Sequence, residues 1–366
     1  MRTGATDFAR PVSNVPARET LWTGEGIAGI YLNQVTAQVV RRAAGAFATC
    51  VFKQRAEPRP QIVVAHDGRA LTAELYASVA EAVMWCGGDI LELGQSYSAD
   101  VARAVRHFSA DGGLLVGNVM GQSHTASLSF YGALGTPWSL GGSLDAVKAL
   151  DESGFKRPVR NAGKATRVSM EGIGKRRAGF NEMGRSGSPL KVVVDTASAV
   201  LLERLTAALP VGSELIQPQS LPLAMNSVDA KDLPRPSFRQ VREKMIARQV
   251  VASGADLGIW IDGIGEVCSI FDSRGLAVPM EQLVRLLARC PFDEIDLAVE
   301  NVAGATREQA YQEFEKLAAM IAGDGVGRIW FREAKDACLD ALLPVLRLID
   351  ILEATGLPLR KLIPSA

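Results

Sequence analysis

The stretch Ala255-Asp-Leu-Gly-Ile-Trp-Ile-Asp-Gly-Ile-Gly-Glu266 is a short apolar run that leads into a tight acidic turn. The run follows a glycine and predicts a buried strand. Carboxylates spaced along a Gly-rich turn can converge on one hard cation such as Mg²⁺, because glycine lets the backbone fold around the ion. Asp262 and Glu266 suit such a turn, but Ile264 at its centre has no ligand atom. The alternative is a strand end with two exposed acids.

The composition indicates a globular protein of two or three domains. The chain has 366 residues, 48% of them hydrophobic and 22% charged, so it can bury extended cores. It has 40 Lys+Arg and 40 Asp+Glu, so its overall charge predicts neither a nucleic-acid nor a membrane partner. The five cysteines show no CxxC spacing, and no signal peptide or membrane-spanning apolar run is evident. These features favour a cytoplasmic location.

Alternating strand and helix patterns predict an α/β fold of three consecutive units. We expect these units over residues 1–155, 156–275 and 276–366, with a loose arm over about 1–20. The first boundary rests on a basic, Pro-bounded segment at 156–185, which suits a solvated linker better than a phosphate-binding patch. The main predicted strands are 62–65, 90–93, 113–116, 191–195, 255–261, 267–271 and 329–331. The main predicted helices are 35–52, 72–86, 101–108, 200–209, 281–289, 307–321 and about 337–354.

Two short segments of the first unit have local features that carry chemistry in other proteins. The run Gly24-Glu-Gly-Ile-Ala-Gly29 matches GxGxxG but lacks a preceding strand and a helix that opens on it, so we expect a Gly-rich loop and not a dinucleotide site. Asp67 and Arg69 follow the strand at 62–65. They are either functional groups at the carboxyl end of that strand or a local ion pair that fixes the turn.

Four segments, in this order, resemble the α-D-phosphohexomutase superfamily of phosphoglucomutases and phosphomannomutases. They are IVVAHDGRALTAELYASVAEAVMWCGGDILELG at 62–94, GGLLVG at 112–117, SGADLGIWIDGIGE at 253–266 and FDSRGLAVPMEQLVRLL at 271–287. The resemblance covers about residues 20–366. It implies α/β domains around a deep cleft, a phosphoserine loop, a Mg²⁺-binding acidic turn and a sugar-binding loop. The family has four domains, and we expect the fourth, phosphate-binding one to be absent here.

Position by position, this resemblance predicts that the catalytic side chains of the first unit are replaced. The phosphoserine position falls on Val119 and the adjacent His position on Met120. The position of the family's following Lys falls on Ser129, and the position of the Arg in its N-terminal loop falls on Ala28. Valine has no oxygen that could carry a phosphoryl group, so the resemblance implies the loss of the nucleophile.

The metal and sugar loops depart from the family pattern as well. Asp262 matches a metal-loop aspartate and Glu266 is a longer carboxylate, whereas Ile264 replaces an acid and Val267 replaces an arginine. In the sugar loop the family's Glu, Ser and His positions fall on Asp324, Val326 and Arg328. We therefore expect at most a weak Mg²⁺ site at Asp262 and Glu266, and no other cofactor. Asp324, Arg328, Asp67 and Arg69 are the candidate ligand-binding residues.

These losses favour a catalytically silent homologue with a binding or regulatory role. Its expected partners are a sugar phosphate in the cleft, another protein, or a second copy of the chain. One alternative is a working mutase whose nucleophile has moved to Ser123 beside His124, although adjacent side chains of a strand point apart. Another is a new activity in the cleft that uses Asp262, Glu266 and Asp324.

Overall fold

The computed structural model describes residues 21–54, 59–155, 158–169, 188–218, 237–289, 298–299, 301–333 and 335–363. The predicted arm at 1–20 and much of the basic segment at 156–185 lie outside these residues. Within them the chain is a mixed α/β structure with three sheets, which confirms the predicted fold class. No helix among them is long and apolar enough to cross a membrane. The absence of a fourth domain stays a prediction.

The first sheet is the largest and carries most of the candidate site. Its strands are β1 (Trp22–Thr23), β2 (Gly26–Ile30), β3 (Gln61–His66), β4 (Asp89–Gln95), β5 (Gly112–Gly117), β6 (Thr125–Tyr131) and β7 (Ala165–Arg167). They lie in the order β1-β2-β6-β5-β3-β4-β7, with β3 parallel to β4 and β5, and β6 antiparallel to β2 and β5. The helices are α1 (Ala37–Gln54), α2 (Ala70–Trp85), α3 (Ser98–His107) and α4 (Leu144–Ser153).

Strand β3 shows why the centre of this sheet is so apolar. Ile62 and Val64 pack in the cluster formed with α1, α2 and α4, whereas Val63 and Ala65 pack on the opposite face with α3. All four side chains are fully buried. A parallel strand covered on both faces has a continuous apolar sequence, because both of its alternating sets of side chains need partners.

The other two sheets have four strands each. The second contains β8 (Lys191–Asp195), β9 (Glu214–Ile216), β10 (Leu257–Ile261) and β11 (Cys268–Phe271), in the order β11-β10-β8-β9. The third contains β12 (Ala298–Val299), β13 (Ile321–Gly323), β14 (Ile329–Glu333) and β15 (Asp336–Leu339), in chain order. The accompanying helices are α5 (Ala199–Ala208), α6 (Phe238–Ser253), α7 (Met280–Ala288), α8 (Arg307–Lys316), α9 (Leu342–Thr355) and α10 (Leu359–Leu362).

The second and third sheets share one hydrophobic core. Val192 and Ile259 of the second sheet belong to the same buried cluster as Ile329 of the third sheet and Leu348 of α9. Strand β7 lies past residue 155 in the sequence, yet it pairs with β4 of the first sheet. The boundaries near 155 and 275 remain predictions.

The structure corrects three of the predicted elements. Most of the expected Gly-rich loop at 24–29 is strand β2, because its pairing with β1 and β6 outweighs the low strand preference of glycine. The helix predicted at 307–321 ends at Lys316, and β13 begins at Ile321. The start of the helix predicted at 337–354 is strand β15, and α9 begins at Leu342. A short apolar run buried on both sides does not distinguish strand from helix by periodicity.

Candidate functional site

The acidic turn at 262–266 connects β10 to β11 and packs against the first unit. Ile261 pairs with Cys268 at the base of the turn. Gly265 has a φ of 77°, a conformation that glycine adopts without strain. A Cβ added at Gly263 would lie 2.3 Å from the backbone oxygen of Asn118, so only glycine allows this close approach. The turn is therefore held directly against the loop that follows β5.

The carboxylate of Asp262 closes its own turn. Its Oδ1 accepts hydrogen bonds from the backbone N–H groups of Glu266 at 2.7 Å and Val267 at 3.1 Å. Burial, together with the charge of Glu266, raises the pKa of Asp262 to about 7, although the two backbone donors oppose the shift. Asp262 Oδ1 therefore already accepts two hydrogen bonds from within its own turn.

Glu266 takes part in a buried network of hydrogen bonds through its Oε1. Its Oε1 accepts from Ser98 Oγ at 2.6 Å, from Tyr131 Oη at 3.1 Å and from Arg307 Nη1 at 2.7 Å. Arg307 is fully buried and donates further hydrogen bonds to the backbone oxygens of Glu25, Phe130 and Trp138. Although burial alone would lower the pKa of Arg307, the carboxylate of Glu266 raises it. The pair is a structural junction between elements of the three sheets.

The centre of the turn is apolar. Ile264 is 1% exposed and belongs to the buried cluster that contains Leu115 and Tyr131, and Val119 packs against the same cluster. A Cβ added at Gly117 would lie 2.6 Å from Ile264 Cγ2. The residues where the resemblance would place a metal and a phosphoserine therefore form a hydrophobic contact region. This donor set does not fit Mg²⁺, which needs near-octahedral oxygen ligation.

The loop at 118–124 joins β5 to β6, and both of its ends are braced by Arg69. The Arg69 guanidinium donates to Asp67 Oδ2 at 2.7 Å, to the Thr125 backbone oxygen at 2.9 Å and to the Gly117 backbone oxygen at 3.0 Å. Asp67 is 2% exposed. Of the two alternatives for Asp67 and Arg69, the local ion pair is the one seen here, and it also positions the loop.

The resemblance and its alternative place the nucleophile at different points of this loop. The Val119 side chain is half-buried, and its backbone N–H donates to Ser127 Oγ at 3.2 Å. Met120 is 42% exposed. Ser123 and His124 are both exposed. The structure therefore points Val119 inward and leaves the Ser123–His124 pair at the surface.

A cleft of about 410 Å³ opens beside this loop, between β2 and the start of the 118–124 segment. It is lined by Thr23, Gly24, Glu25, Ile27, Ala28, Gly29, Gln34, Val119, Met120 and Ser129. Ala28, Val119, Met120 and Ser129 are the four positions at which the resemblance predicts lost catalytic groups, and the fold brings all four together. Ser123 and His124 are not among the lining residues. The Ser129 hydroxyl is buried and has no hydrogen-bond partner among the described residues.

The predicted sugar-loop residues form a second turn that faces the first unit. Asp324 Oδ1 accepts from the backbone N–H groups of Val326, Gly327 and Arg328 at 2.9 to 3.1 Å. The Arg328 guanidinium lies between Asp324 Oδ2 and Glu25 Oε1 and bonds to both. Asp324 and Arg328 thus fasten the third unit to the β1–β2 turn, and neither lines the cleft.

Sequence reasoning missed the residues that hold the site together, chiefly Arg307, Ser98 and Glu25. A local signal did mark the start of α8, because Thr306 and Gln309 form a reciprocal capping box immediately around Arg307. Nothing local indicated that Arg307 would meet Glu266. Among the described residues, no three His, Cys, Asp or Glu side chains are grouped so that they could hold one metal ion.

Comparison with known proteins is consistent with this geometry. The family model for phosphoglucomutase/phosphomannomutase alpha/beta/alpha domain I matches residues 20–118. The chain belongs to the α-D-phosphohexomutase superfamily. The domain match ends at Asn118, directly before Val119, the position to which the resemblance assigns the phosphoserine.

Curated relatives of this phosphohexomutase homologue are distant. A phosphoglucosamine mutase of Symbiobacterium thermophilum is 25% identical over 276 residues, which are 72% of this chain and 58% of that protein. A phosphomannomutase of Salmonella montevideo is 26% identical over 238 residues, which are 62% of this chain and 51% of that protein. The chain therefore spans little more than half the length of these relatives.

Solved structures of the superfamily share the fold. A phosphoglucomutase/phosphomannomutase family protein from Burkholderia thailandensis superimposes with a TM-score of 0.71 at 19% identity, covering 94% of this chain and 79% of that one. The parafusin phosphoglucomutase from Paramecium gives a TM-score of 0.61 at 11% identity, covering 91% and 70%. At these identities the likeness concerns the fold alone.

Proposed function

We propose that this phosphohexomutase homologue does not transfer phosphoryl groups and acts through binding. The observation that carries the proposal is the cleft itself. The cleft brings together Ala28, Val119, Met120 and Ser129. The resemblance assigns to these four residues the positions of catalytic groups, and none of them has the group that the chemistry needs. Valine offers no atom for a phosphoryl bond, and serine is a poor substitute for lysine as a general acid.

The charges around the cleft support the same proposal. Phosphoryl transfer depends on positioning and on cations that neutralise the moving group. The arginines nearby are already used: Arg69 binds Asp67 and two carbonyl oxygens, Arg307 binds Glu266, and Arg328 binds Asp324 and Glu25. Removing one such stabilising group from an enzyme typically costs about 10²–10³ in rate.

The role that we propose is therefore binding or regulation, in the cytoplasm, with a sugar derivative or a protein partner, including a second copy of the chain. The alternative mutase would have to use Ser123, which is exposed and outside the lining of the cleft. The alternative of a new activity would have to use Asp262 and Glu266, whose inner oxygens are committed to the turn and to Arg307.

Intact-mass spectrometry and a coupled assay test the proposal together. The protein is incubated with glucose 1,6-bisphosphate and Mg²⁺, its mass is measured, and turnover of glucose 1-phosphate and mannose 1-phosphate is followed. We expect no stable phosphoryl adduct and no turnover, with an active phosphoglucomutase as the positive control. An adduct on Ser123, with turnover that disappears in Ser123→Ala, would establish the mutase alternative instead.

A further inference from the structure

The walls of the cleft contain almost no charge. Of the ten described residues that line it, Glu25 alone is ionisable, and the others are apolar, amide, hydroxyl or glycine residues. Glu25 is a carboxylate, and its Oε1 accepts from Arg328. A ligand in this space therefore meets one anionic group and no cationic side chain of the lining.

Arg328 does not add a net positive charge near the cleft. It lies between two carboxylates, Asp324 and Glu25, so this trio carries a net negative charge. Its Nε–H has no acceptor among the described residues, but the residue is 4% exposed and does not line the cleft. A phosphate that entered the cleft would lose water and gain no counter-charge from the described lining residues, which is unfavourable.

The polar groups of the cleft are suited to hydroxyls. Ser129 is 1% exposed, and its Oγ has no hydrogen-bond partner in the described part of the chain, so a ligand oxygen could satisfy it. The carboxylate of Glu25 is 31% exposed and can accept a hydrogen bond from a hydroxyl. Ile27 and Val119 provide apolar surface for the C–H face of a ring. A volume of about 410 Å³ lies within the range of pockets that hold small molecules.

We infer that the cleft binds an uncharged monosaccharide and discriminates against its phosphorylated form. The inference rests on the proposed function, because a phosphoryl-transfer enzyme must hold the phosphorylated sugar. Ser129 supplies the buried hydrogen bond, Glu25 accepts from a sugar hydroxyl, and Glu25 also repels phosphate. The replaced family positions thereby form the wall of a neutral site.

Isothermal calorimetry at constant ionic strength tests the inference. Glucose, mannose and N-acetylglucosamine are compared, each with its own 1-phosphate. We expect at least one neutral sugar to bind at least tenfold more tightly than its phosphate. The inference is overturned if none of the neutral sugars binds, or if a phosphate binds as tightly as its neutral partner.

Variants locate the binding and its charge selectivity. Ser129→Ala should weaken the neutral sugar at least threefold, whereas Ser123→Ala, a serine outside the cleft, should leave it unchanged. Ala28→Lys adds a cation to the wall and should improve phosphate binding at least tenfold relative to the neutral sugar. Equal effects of the two serine variants, or no gain from Ala28→Lys, would contradict the assignment.

The two proposals fail separately. Tighter binding of a sugar phosphate without turnover would overturn the neutral-ligand inference and leave the non-catalytic function standing. Turnover with a phosphoryl adduct would overturn the non-catalytic function, whichever sugar binds more tightly.

Discussion

Ile264 shows how one side chain changes the chemistry of a turn without disturbing its shape. The turn at 262–266 keeps its glycines and is closed by Asp262, yet its centre is an isoleucine that is 1% exposed. Burying this side chain stabilises the contact between the acidic turn and the first unit by roughly 1.5–3 kcal/mol. The same residue removes the central ligand of the predicted metal site.

We expect no saturable Mg²⁺ binding at this turn. Asp262 Oδ1 already accepts two backbone hydrogen bonds and Glu266 Oε1 accepts three side-chain ones, so few oxygens are left for the ion. The measurement is calorimetry with millimolar Mg²⁺. Saturable binding that is lost in Asp262→Asn and kept in Asp272→Asn, another turn aspartate, would show the prediction to be wrong.

The pKa of Asp262 predicts a pH-dependent stability. Burial and the charge of Glu266 raise it from 3.8 to about 7 in the folded state, so the folded protein binds a proton that the unfolded chain releases at a lower pH. The stabilising contribution is complete below about pH 4 and is lost as the pH rises to about 7. Relative to Asp262→Asn, wild type should lose up to a few kcal/mol of unfolding free energy from pH 5 to pH 8.

Urea unfolding at pH 5, 6, 7 and 8 measures this difference, with Asp272→Asn as the control. Although burial alone would raise it, the pKa of Asp272 is lowered, because the backbone N–H groups of Leu276 and Arg274 and the Arg274 side chain hold the anion. That carboxylate stays charged from pH 5 to pH 8. The difference in unfolding free energy between Asp272→Asn and wild type should therefore not vary with pH. If the difference in unfolding free energy between Asp262→Asn and wild type is also independent of pH, the assigned pKa of Asp262 is wrong.

At the scale of single elements, α8 determines where Arg307 is placed. Arg307 is the first residue of the helix. The hydroxyl of the preceding Thr306 accepts from the Gln309 backbone N–H at 3.2 Å, and the Gln309 side-chain oxygen accepts from the Thr306 backbone N–H. The capping box fixes the helix start. Because Arg307 lies in the first turn, fraying of this end would displace its guanidinium from Glu266.

Thr306→Ala should therefore lower the free energy of unfolding by about 1 kcal/mol, the usual cost of losing an N-cap. Thr206→Ala is the matched control, because Thr206 is exposed within α5 and its hydroxyl donates to the Leu202 backbone oxygen. We expect the control to stay within about 0.5 kcal/mol of wild type. Equal losses in the two variants, measured by urea unfolding, would argue against the capping role.

At the scale of the whole molecule, buried ion pairs join the three sheets. Arg307 of α8 reaches Glu266 in the turn between β10 and β11, and the same carboxylate accepts from Ser98 of α3 and Tyr131 of β6. Arg103 of α3 makes a comparable connection to Glu333. Such pairs are costly to break, because removal of one partner leaves a buried charge without its counter-charge.

Arg307→Leu should lower the free energy of unfolding by about 3–5 kcal/mol. The control is Arg274→Leu, because Arg274 is 58% exposed in its pair with Asp272 and should cost no more than about 1 kcal/mol. Adding Glu266→Leu to Arg307→Leu removes the unpaired charge and should recover part of the loss. If the double variant loses more unfolding free energy than the two single variants lose together, the pair is not the junction described here.

The sequence by itself determined the fold class, the superfamily and the locations of the strands that carry the loops. Apolar runs such as 62–65 and 255–261 indicate buried strands through their own composition, which is local information. Short elements such as β2 and β15 could not be predicted in this way, because their conformation depends on pairing with other strands, β2 with β1 and β6, and β15 with β14. The replacement of catalytic positions stays a prediction from the order of motifs.

Only the tertiary structure decided what the remaining polar groups do. Asp262 and Glu266 looked alike as turn acids, yet one closes the turn and the other binds Arg307, 41 residues away. Which charged groups interact depends on their distance in space and not on their separation in sequence. In the less polar interior these interactions are stronger, so they determine how reactive each group is. The gathering of Ala28, Val119 and Ser129 into one cleft likewise follows from sheet pairing, which no single segment encodes.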